Sequence, residues 1–240
     1  MQSIQLFFLL LRQILNTNDM DIQEKIKSLQ IEAAQFLTKT KMTMNGLVIF
    51  PKEIEVYYSK EGEFEDPTVH KNELQKNNKN HFYVHRWGKT KNDKYKGGNR
   101  AGVDFIVSDD ENTYYSYLIR SALINGDLIV GPNKVLKTIE SLTNLSYKEL
   151  ESNTIELDVV NSSYDVLFSE RINLNQEGES SHYELRAVLC DNLYREKESK
   201  YRNKEKMITR FIKEQKMISQ QALKYAQDKL GYIPSEIRNL

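Results

Sequence analysis

The segment Pro51–His70, PKEIEVYYSKEGEFEDPTVH, constrains the fold of this chain more than any other stretch. Its first half alternates as a β-strand does, so that one face carries Ile54, Val56 and Tyr58 and the other carries Glu53, Glu55 and Tyr57. If the first face packs into a core, Glu55 and Tyr57 stand side by side on the opposite face. A carboxylate beside an aromatic ring suits a pocket that binds a flat ligand and activates water. The same pattern also fits an ordinary solvated face of an antiparallel sheet.

The composition indicates a packed core and no overall electrostatic field. Of the 240 residues, 39% are hydrophobic, and 34 basic residues balance 34 acidic ones. With a formal net charge of zero, any affinity for nucleic acid or membrane has to come from local patches. Cys190 is the only cysteine, which excludes an internal disulfide framework and a thiolate zinc cluster and fits a reducing, cytoplasmic compartment.

Residues 1–21 form a distinct N-terminal segment in the sequence. Its apolar run, Leu6 to Leu11, is too short to span a bilayer. The run lacks a preceding basic region and a following small-residue cleavage site, so we expect a buried or amphipathic helix and not a signal peptide. Met20 offers a second start, which leaves open whether the segment is required. We expect no membrane association.

The order of the remaining elements indicates an α+β fold with a mainly antiparallel β core and flanking helices. Strands are predicted over Lys41–Phe50, Lys52–Tyr58, His81–Trp87, Ala101–Ser108, Tyr114–Leu123 and Tyr183–Cys190, with one or two more in Thr154–Phe168. Helices are predicted over Ile22–Leu37, after Gly131–Pro132, and around Ser146–Glu151. Asn45–Gly46 and Asn125–Gly126 are typical of tight turns.

The chain becomes highly charged from residue 194, where apolar residues recur at helix-compatible intervals. We therefore expect an α+β domain over residues 22–193 and a charged helical C-terminal extension over residues 194–240. A basic loop, Lys89–Arg100, lies between two predicted strands; it is either a loop that contacts a nucleic-acid backbone or a solvated hairpin tip.

The common signatures of cofactor or metal chemistry do not occur in the sequence. There is no phosphate-binding glycine loop, no nucleophile elbow and no His-Glu-x-x-His helix. His81 and His85 are four residues apart, and along a strand this separates them too far to share a metal easily. We predict neither a metal nor a cofactor, and we expect Cys190 to be a buried, unreactive thiol.

Several short motifs follow one another in an order that resembles the alkyladenine (3-methyladenine, methylpurine) DNA glycosylase family. After the helical AAQFL, EIEVYY resembles the family's Glu-x-Glu-Ala-Tyr strand, EDPTVH its acidic loop ending in Ala-x-His, and FYVHRWG its Leu-Tyr-Val-Tyr-x-x-Tyr-Gly segment. YLIRSA, GPNKVLKTI, SERINL and YELRAVL resemble later family motifs in the same order. The resemblance extends over about residues 31–192.

The resemblance implies the methylpurine-glycosylase type of β core and a monofunctional enzyme. Such an enzyme flips a damaged purine out of duplex DNA and hydrolyses its N-glycosidic bond without a metal or a lysine adduct. The resemblance implies that Glu55 is the general base that activates water and that Arg120 holds that water or the carboxylate. It implies that Tyr57 and His85 stack on the flipped base and that His70 forms a hydrogen bond near the base or the backbone. Trp87 would be the wedge that fills the gap in the duplex. Aromatic stacking and a wedge can offset the few kcal/mol that extruding a base costs.

The sequence departs from the family pattern around the base pocket. Asp104 replaces an Asn that guards against the exocyclic amine of guanine, and a carboxylate that only accepts hydrogen bonds selects differently. The loop after His70 lacks the family's Arg-Thr-Pro-Arg-Asn segment, and Glu170 stands where Pro is usual. Because the net charge is neutral, binding to duplex DNA would depend on the Lys89–Arg100 loop and the basic tail.

The leading hypothesis is thus a DNA glycosylase whose partner is duplex DNA with an alkylated or deaminated purine. Three alternatives stay open. The first is a non-enzymatic nucleic-acid-binding module on the same fold. The second is a hydrolase of another N-glycosidic bond, such as that of a free nucleoside. The third is a protein whose charged C-terminal helix binds a partner. The sequence does not predict an oligomeric state.

Overall fold

The computed structural model describes residues 22–172, 174, 182–190 and 204–239. The predicted N-terminal segment, residues 1–21, and the first part of the predicted C-terminal extension lie outside this range. Within it, the coarse prediction of an α+β chain with an antiparallel sheet is confirmed. No helix in the described part of the chain is both long and apolar enough to cross a membrane.

Nine strands and six α-helices make up the described structure. The strands are β1 (Thr40–Met44), β2 (Leu47–Lys60), β3 (Phe82–Val84), β4 (Val103–Ile106), β5 (Thr113–Ile124), β6 (Asp127–Val130), β7 (Glu156–Val159), β8 (Val166–Ser169) and β9 (Arg186–Leu189). The helices are α1 (described over residues 22–39), α2 (Pro132–Thr143), α3 (Tyr147–Ser152), α4 (Lys204–Glu214), α5 (Ser219–Leu230) and α6 (Ser235–Arg238).

The antiparallel pair β2 and β5 is the centre of the sheet. The two strands pair along almost their whole length, from Ile49 opposite Ile124 to Lys60 opposite Thr113. On its other edge, β2 pairs with β1 over Leu47–Ile49 and with β9 over Glu53–Glu55. In the same way, β5 pairs with β6 at one end and β4 at the other. The middle of β2, around Glu53–Glu55, is therefore paired on both edges.

The predicted inward face of β2 is confirmed, because Ile54, Val56 and Tyr58 are all buried in the main hydrophobic core with residues of α1 and β5. The opposite face is not solvated either. Glu53 and Glu55 are buried as well, and Tyr57 is half-buried. The interpretation of this face as an ordinary exposed sheet surface is therefore wrong.

The part of the predicted strand Lys41–Phe50 that follows its Asn45–Gly46 turn is continuous with the predicted strand Lys52–Tyr58. The chain runs through Pro51 without a break in β2, because the pairing with β5 is irregular between Pro51 and Ile54, where a missing backbone N–H is tolerated. The predicted strand His81–Trp87 is regular only over β3, and β6 was not predicted. Both predicted Asn-Gly turns are confirmed, with positive φ at Asn45, Gly46, Asn125 and Gly126.

The C-terminal helices α4, α5 and α6 pack on the sheet through a second hydrophobic cluster. The members from the helices include Ile212, Ala226 and Leu230, and those from β8 and β9 include Leu167 and Val188. Cys190 is buried in this cluster, as expected. The predicted helical character after residue 194 is thus seen over residues 204–239.

Candidate active site

A cavity of about 520 Å³ lies at the second half of β2 and the loops around it. Five of the seven predicted site residues line it: Tyr57, His70, His85, Trp87 and Asp104. Tyr57 comes from β2 and Asp104 from β4, whereas the other three lie in loops next to β3 or after β2. The remaining two predicted residues, Glu55 and Arg120, do not line the cavity but lie behind Tyr57.

Glu55 is completely buried and every described partner of its carboxylate is a donor. The Tyr57 hydroxyl donates to Oε2 at 3.1 Å, and the backbone N–H of Ile172 donates to Oε1 at 2.6 Å. Arg120 Nη1 lies 3.2 Å from the same Oε1. An ionised carboxylate only accepts hydrogen bonds, and each of these partners of Glu55 is a group that donates them.

Arg120 joins two carboxylates on one face of β2. Its Nε lies 3.2 Å from Oε1 of Glu53, and its Nη1 contacts Glu55. Burial acts to lower the pKa of Arg120, but Glu55 and Glu53 outweigh burial and raise the pKa above its ordinary value. Arg186, on β9, reaches the same Oε1 of Glu53 over 2.7 Å. The guanidinium of Arg120 is therefore fixed between the two acidic residues.

The position of Arg120 follows from the irregular pairing of the central strands. Glu53 pairs with Ser121 and Ile54 pairs with Ile119, so Arg120 is an extra residue on β5 with no partner directly opposite. An extra residue of this kind redirects its side chain relative to the regular alternation. Here it directs the guanidinium to the carboxylate face of β2.

Tyr57 forms the link between the cavity and the buried carboxylate. Burial and then Glu55 raise the pKa of its phenol well above the ordinary value, against an opposing effect of Arg171. The hydroxyl therefore stays protonated and acts as a permanent donor. The guanidinium of Arg171 lies 4.9 Å from the ring centroid, and Arg171 Nη1 is 2.5 Å from Oδ2 of Asp66. This buried ion pair holds the arginine against the ring.

Asp104, which is buried, pairs with the partly buried His85 in the cavity wall. The His85 Nε2 atom lies 2.7 Å from Oδ1 of Asp104, while the hydroxyl of Ser116 donates to Oδ2 at 2.8 Å. Burial alone would raise the pKa of Asp104, but His85 and Ser116 contribute to a net lowering. The ring of His85 also needs Gly102, because a Cβ there would lie 2.9 Å from its Cε1 atom.

His70 lies edge-on to His85, with 4.7 Å between the ring centroids. Its Nε2 is 2.7 Å from Nζ of Lys96 and its Nδ1 is 3.2 Å from the hydroxyl oxygen of Tyr83. Burial, then His85 and Lys96, lower the pKa of His70 to about 3, so the ring is neutral. Because an ammonium only donates, Nε2 accepts from Lys96 and Nδ1 carries the hydrogen that is donated to Tyr83.

Trp87 is the exposed aromatic residue of the cavity, with 56% of its surface accessible. Two cations face its ring: Lys96 Nζ lies 5.5 Å and the Arg100 guanidinium 5.0 Å from the ring. Other basic side chains of the Lys89–Arg100 loop, namely those of Lys89, Lys91 and Lys94, are exposed to solvent. The loop thus places positive charge around an accessible aromatic surface.

The base of this loop is anchored by a buried ion pair. Arg86 binds both carboxylate oxygens of Glu151, on α3, and its Nη2 also donates to the Tyr95 hydroxyl at 2.8 Å. The same carboxylate accepts the backbone N–H of Val84 at 2.8 Å. The ion pair therefore fixes the chain on both sides of His85 and Trp87.

Sequence reasoning missed three basic residues that contact the neighbours of Glu55 or the cavity wall. Glu53 was recognised as a neighbour of Glu55 on the same face, but no role was given to Arg171, Arg186 or Lys96. Arg171 and Arg186 lie in the motifs SERINL and YELRAVL, but their partners lie on distant segments, so the sequence did not indicate their contacts. Among the described residues, no three His, Cys, Asp or Glu side chains come together as a group that could hold a metal ion.

The arrangement can hold a flat ligand among aromatic and polar side chains, next to a buried carboxylate. In comparisons with known proteins, no protein-family model matches the chain and no curated protein matches its sequence.

Proposed function

We propose that this chain is a DNA N-glycosylase that hydrolyses the N-glycosidic bond of a flipped alkylated or deaminated purine. One observation carries the proposal: the phenol of Tyr57, a residue of the cavity wall, is hydrogen-bonded to a fully buried carboxylate that is paired with Arg120. A flat-ligand surface and a candidate general base are thereby directly connected.

The dimensions and lining of the cavity support a purine as ligand. Its volume of about 520 Å³ lies in the range of small-molecule sites, and rings from Tyr57, His85 and Trp87 contribute to its wall. Stacking on an aromatic side chain is worth about 1–3 kcal/mol per base, which offsets the cost of extruding the base from the duplex. The positive charge of an alkylated purine strengthens its attraction to electron-rich rings.

Hydrolysis requires a group that takes a proton from water as the water attacks C1′. Glu55 serves as that base, and the departing purine takes the electron pair of the broken C1′–N bond. A carboxylate offers about four acceptor positions, more than the three described donors to Glu55 occupy. Arg120 orients the carboxylate and remains charged throughout the reaction, so its positive charge offsets the negative charge of Glu55.

Affinity for the DNA backbone comes from local charge. The exposed lysines belong to the same loop as Lys96 and Arg100, the two cations next to Trp87, although the chain as a whole is neutral. We therefore expect binding that weakens steeply as salt concentration rises.

The test is release of free base from duplexes that contain hypoxanthine, ethenoadenine or 3-methyladenine. In Glu55→Gln, loss of the general base is expected to reduce release by about 10²-fold or more, while the duplex is still bound. Glu53→Gln is the comparison variant, because Glu53 shares the strand face and Arg120 but has no described hydrogen bond to Tyr57. Since Glu53 also pairs with the buried Arg186, release is compared per folded protein, and Glu53→Gln should release clearly more base than Glu55→Gln. Equal release by wild type and Glu55→Gln would refute the assignment.

A non-enzymatic nucleic-acid-binding module is the second candidate. The burial of Glu55 favours it, since the carboxylate has no exposed surface and does not line the cavity. This function predicts salt-dependent binding with no released base from any of the duplexes, and indistinguishable behaviour of wild type and Glu55→Gln.

A further inference from the structure

The cavity holds an amine that hydrolysis does not use. Lys96 lines the cavity, and its Nζ bonds to Nε2 of His70 over 2.7 Å. The backbone N–H of Lys96 donates to the carbonyl oxygen of His85 at 2.8 Å. The position of the amine is thus fixed at both the backbone and the side chain, although the residue lies in a loop.

The surroundings of Lys96 differ from those of the other lysines in its loop. Lys96 is half-buried, whereas Lys89, Lys91 and Lys94 are exposed. Burial lowers the pKa of the Lys96 ammonium and Arg100 lowers it further, against the opposing effect of Asp104. Partial desolvation next to another cation is a known way to activate a lysine, because it increases the fraction of neutral amine.

His70 leaves the amine able to react. The neutral imidazole accepts one N–H of Lys96, and its own hydrogen is committed to Tyr83. When the ammonium loses a proton to water, an N–H of the neutral amine can still donate its hydrogen bond to His70. The lone pair of the amine is not used in that hydrogen bond. His70 is therefore a positioning residue for the amine.

We propose that Lys96 forms an imine with an aldehyde held in this cavity, the ring-opened deoxyribose of an abasic site in DNA. The source of the aldehyde rests on the proposed function, since removal of a base leaves this sugar. The covalent step itself goes beyond that function and differs from the adduct-free mechanism that the glycosylase resemblance implies.

The step is balanced without an oxidant, reductant or cofactor. The neutral Nζ attacks C1′, which forms the N–C bond and converts the carbonyl oxygen into a hydroxyl after proton transfer. The C–O bond then breaks, the C=N bond forms, and both amine hydrogens leave with the oxygen as one water molecule. The reverse reaction with water restores the free lysine.

Borohydride trapping on a duplex with a pre-formed abasic site tests the proposal. The reagent reduces an imine to a stable secondary amine, so the full-length protein should become covalently attached to the DNA. Lys96→Arg keeps the positive charge but removes the primary amine, and it should give at least about tenfold less adduct than wild type. The control, Lys27→Ala, changes an exposed lysine of α1 that does not line the cavity and should trap as wild type does.

Peptide mapping of the wild-type adduct by mass spectrometry makes the test independent of variant folding. Attachment at Lys96 supports the proposal; no adduct, attachment at another amine, or wild-type levels of adduct in Lys96→Arg would overturn it. Because the abasic site is made beforehand, trapping does not depend on base release. A protein that traps the aldehyde at Lys96 but releases no purine would keep this inference and overturn the proposed glycosylase activity.

Discussion

The hydroxyl of Tyr57 donates to the carboxylate of Glu55 over 3.1 Å, although the two residues are next-but-one neighbours on a single strand. Side chains at this spacing leave an extended backbone about 7 Å apart. The ring of Tyr57 must therefore lean along β2 over Glu55. As a result, any ligand that contacts this ring is coupled to the orientation of the carboxylate.

Replacing Tyr57 by Phe should separate stacking from the contribution of the hydroxyl. The ring remains, so the affinity for duplex DNA should change by no more than about twofold, whereas loss of one donor to Glu55 should lower base release by about tenfold, equivalent to about 1.4 kcal/mol. Binding titrations and single-turnover release measure the two effects. A loss of binding as large as the loss of release would show that the hydroxyl contributes mainly to ligand affinity.

Replacing Glu151 by Gln should destabilise the fold strongly. The change leaves the Arg86 guanidinium buried without its carboxylate, and breaking one partner of a buried pair costs about 3–5 kcal/mol. Urea denaturation measures this loss. Glu140→Gln is the control, because the Lys137–Glu140 pair on α2 is at the surface and is worth about 0–1 kcal/mol. A similar midpoint for both variants would contradict the structural role of the buried pair.

His70 should make the folded state sensitive to mild acid. Burial, followed by His85 and Lys96, lowers its pKa from 6.5 to about 3, so the unfolded chain binds the proton more readily than the folded one. The stability that the neutral ring contributes is complete above the unfolded pKa and decreases as the pH falls toward about 3. We expect this residue to account for about 1 kcal/mol of lost stability between about pH 7 and pH 5.5.

Urea denaturation at both pH values, on wild type and His70→Gln, measures that contribution. The variant cannot take up the proton and should depend less on pH. His182→Gln provides the comparison, since His182 is exposed and contacts Glu170 at 3.4 Å. If His70→Gln and wild type lose equal stability, the neutral buried histidine is not the cause.

Trp87 should report ligand binding directly, because it is the only tryptophan in the chain. It is more than half exposed at the cavity, so stacking on DNA should quench its fluorescence and protect it from iodide. Trp87→Phe should remove the signal and keep most of the affinity, while Trp87→Ala should weaken binding by about 1–3 kcal/mol. Unchanged iodide quenching at saturating DNA would place the nucleic acid elsewhere on the protein.

Local sequence patterns predicted those elements of the fold that depend only on residues within one strand or one turn. Alternation alone identified the buried face of β2, since Ile54 and Val56 sit at the correct spacing. The Asn-Gly pairs identified two hairpin turns, because these residues tolerate positive φ. The length of β2 was underestimated because Pro51 suggests an interruption, and only the sheet reveals that the pairing is irregular there.

The candidate site was predictable in part. Glu55 and Tyr57 are adjacent because of the strand period, and the resemblance to methylpurine glycosylases pointed to Arg120, which the structure places next to Glu55. The buried Arg171 and Arg186 contact residues more than a hundred positions away, at Asp66 and Glu53. No local period encodes such contacts, so a single sequence could not identify them.

The irregular pairing of β2 and β5 also limits which single-residue deletions these two strands can tolerate. One residue is inserted in β2 between Pro51 and Glu53, and one is inserted in β5 at Arg120, after which the strands return to the register they had before. The two insertions compensate each other. A deletion in only one strand would leave the other insertion unmatched. Descendants of this chain that shorten β2 at Lys52 should therefore also lose the residue at position 120, and with it the guanidinium that holds Glu55.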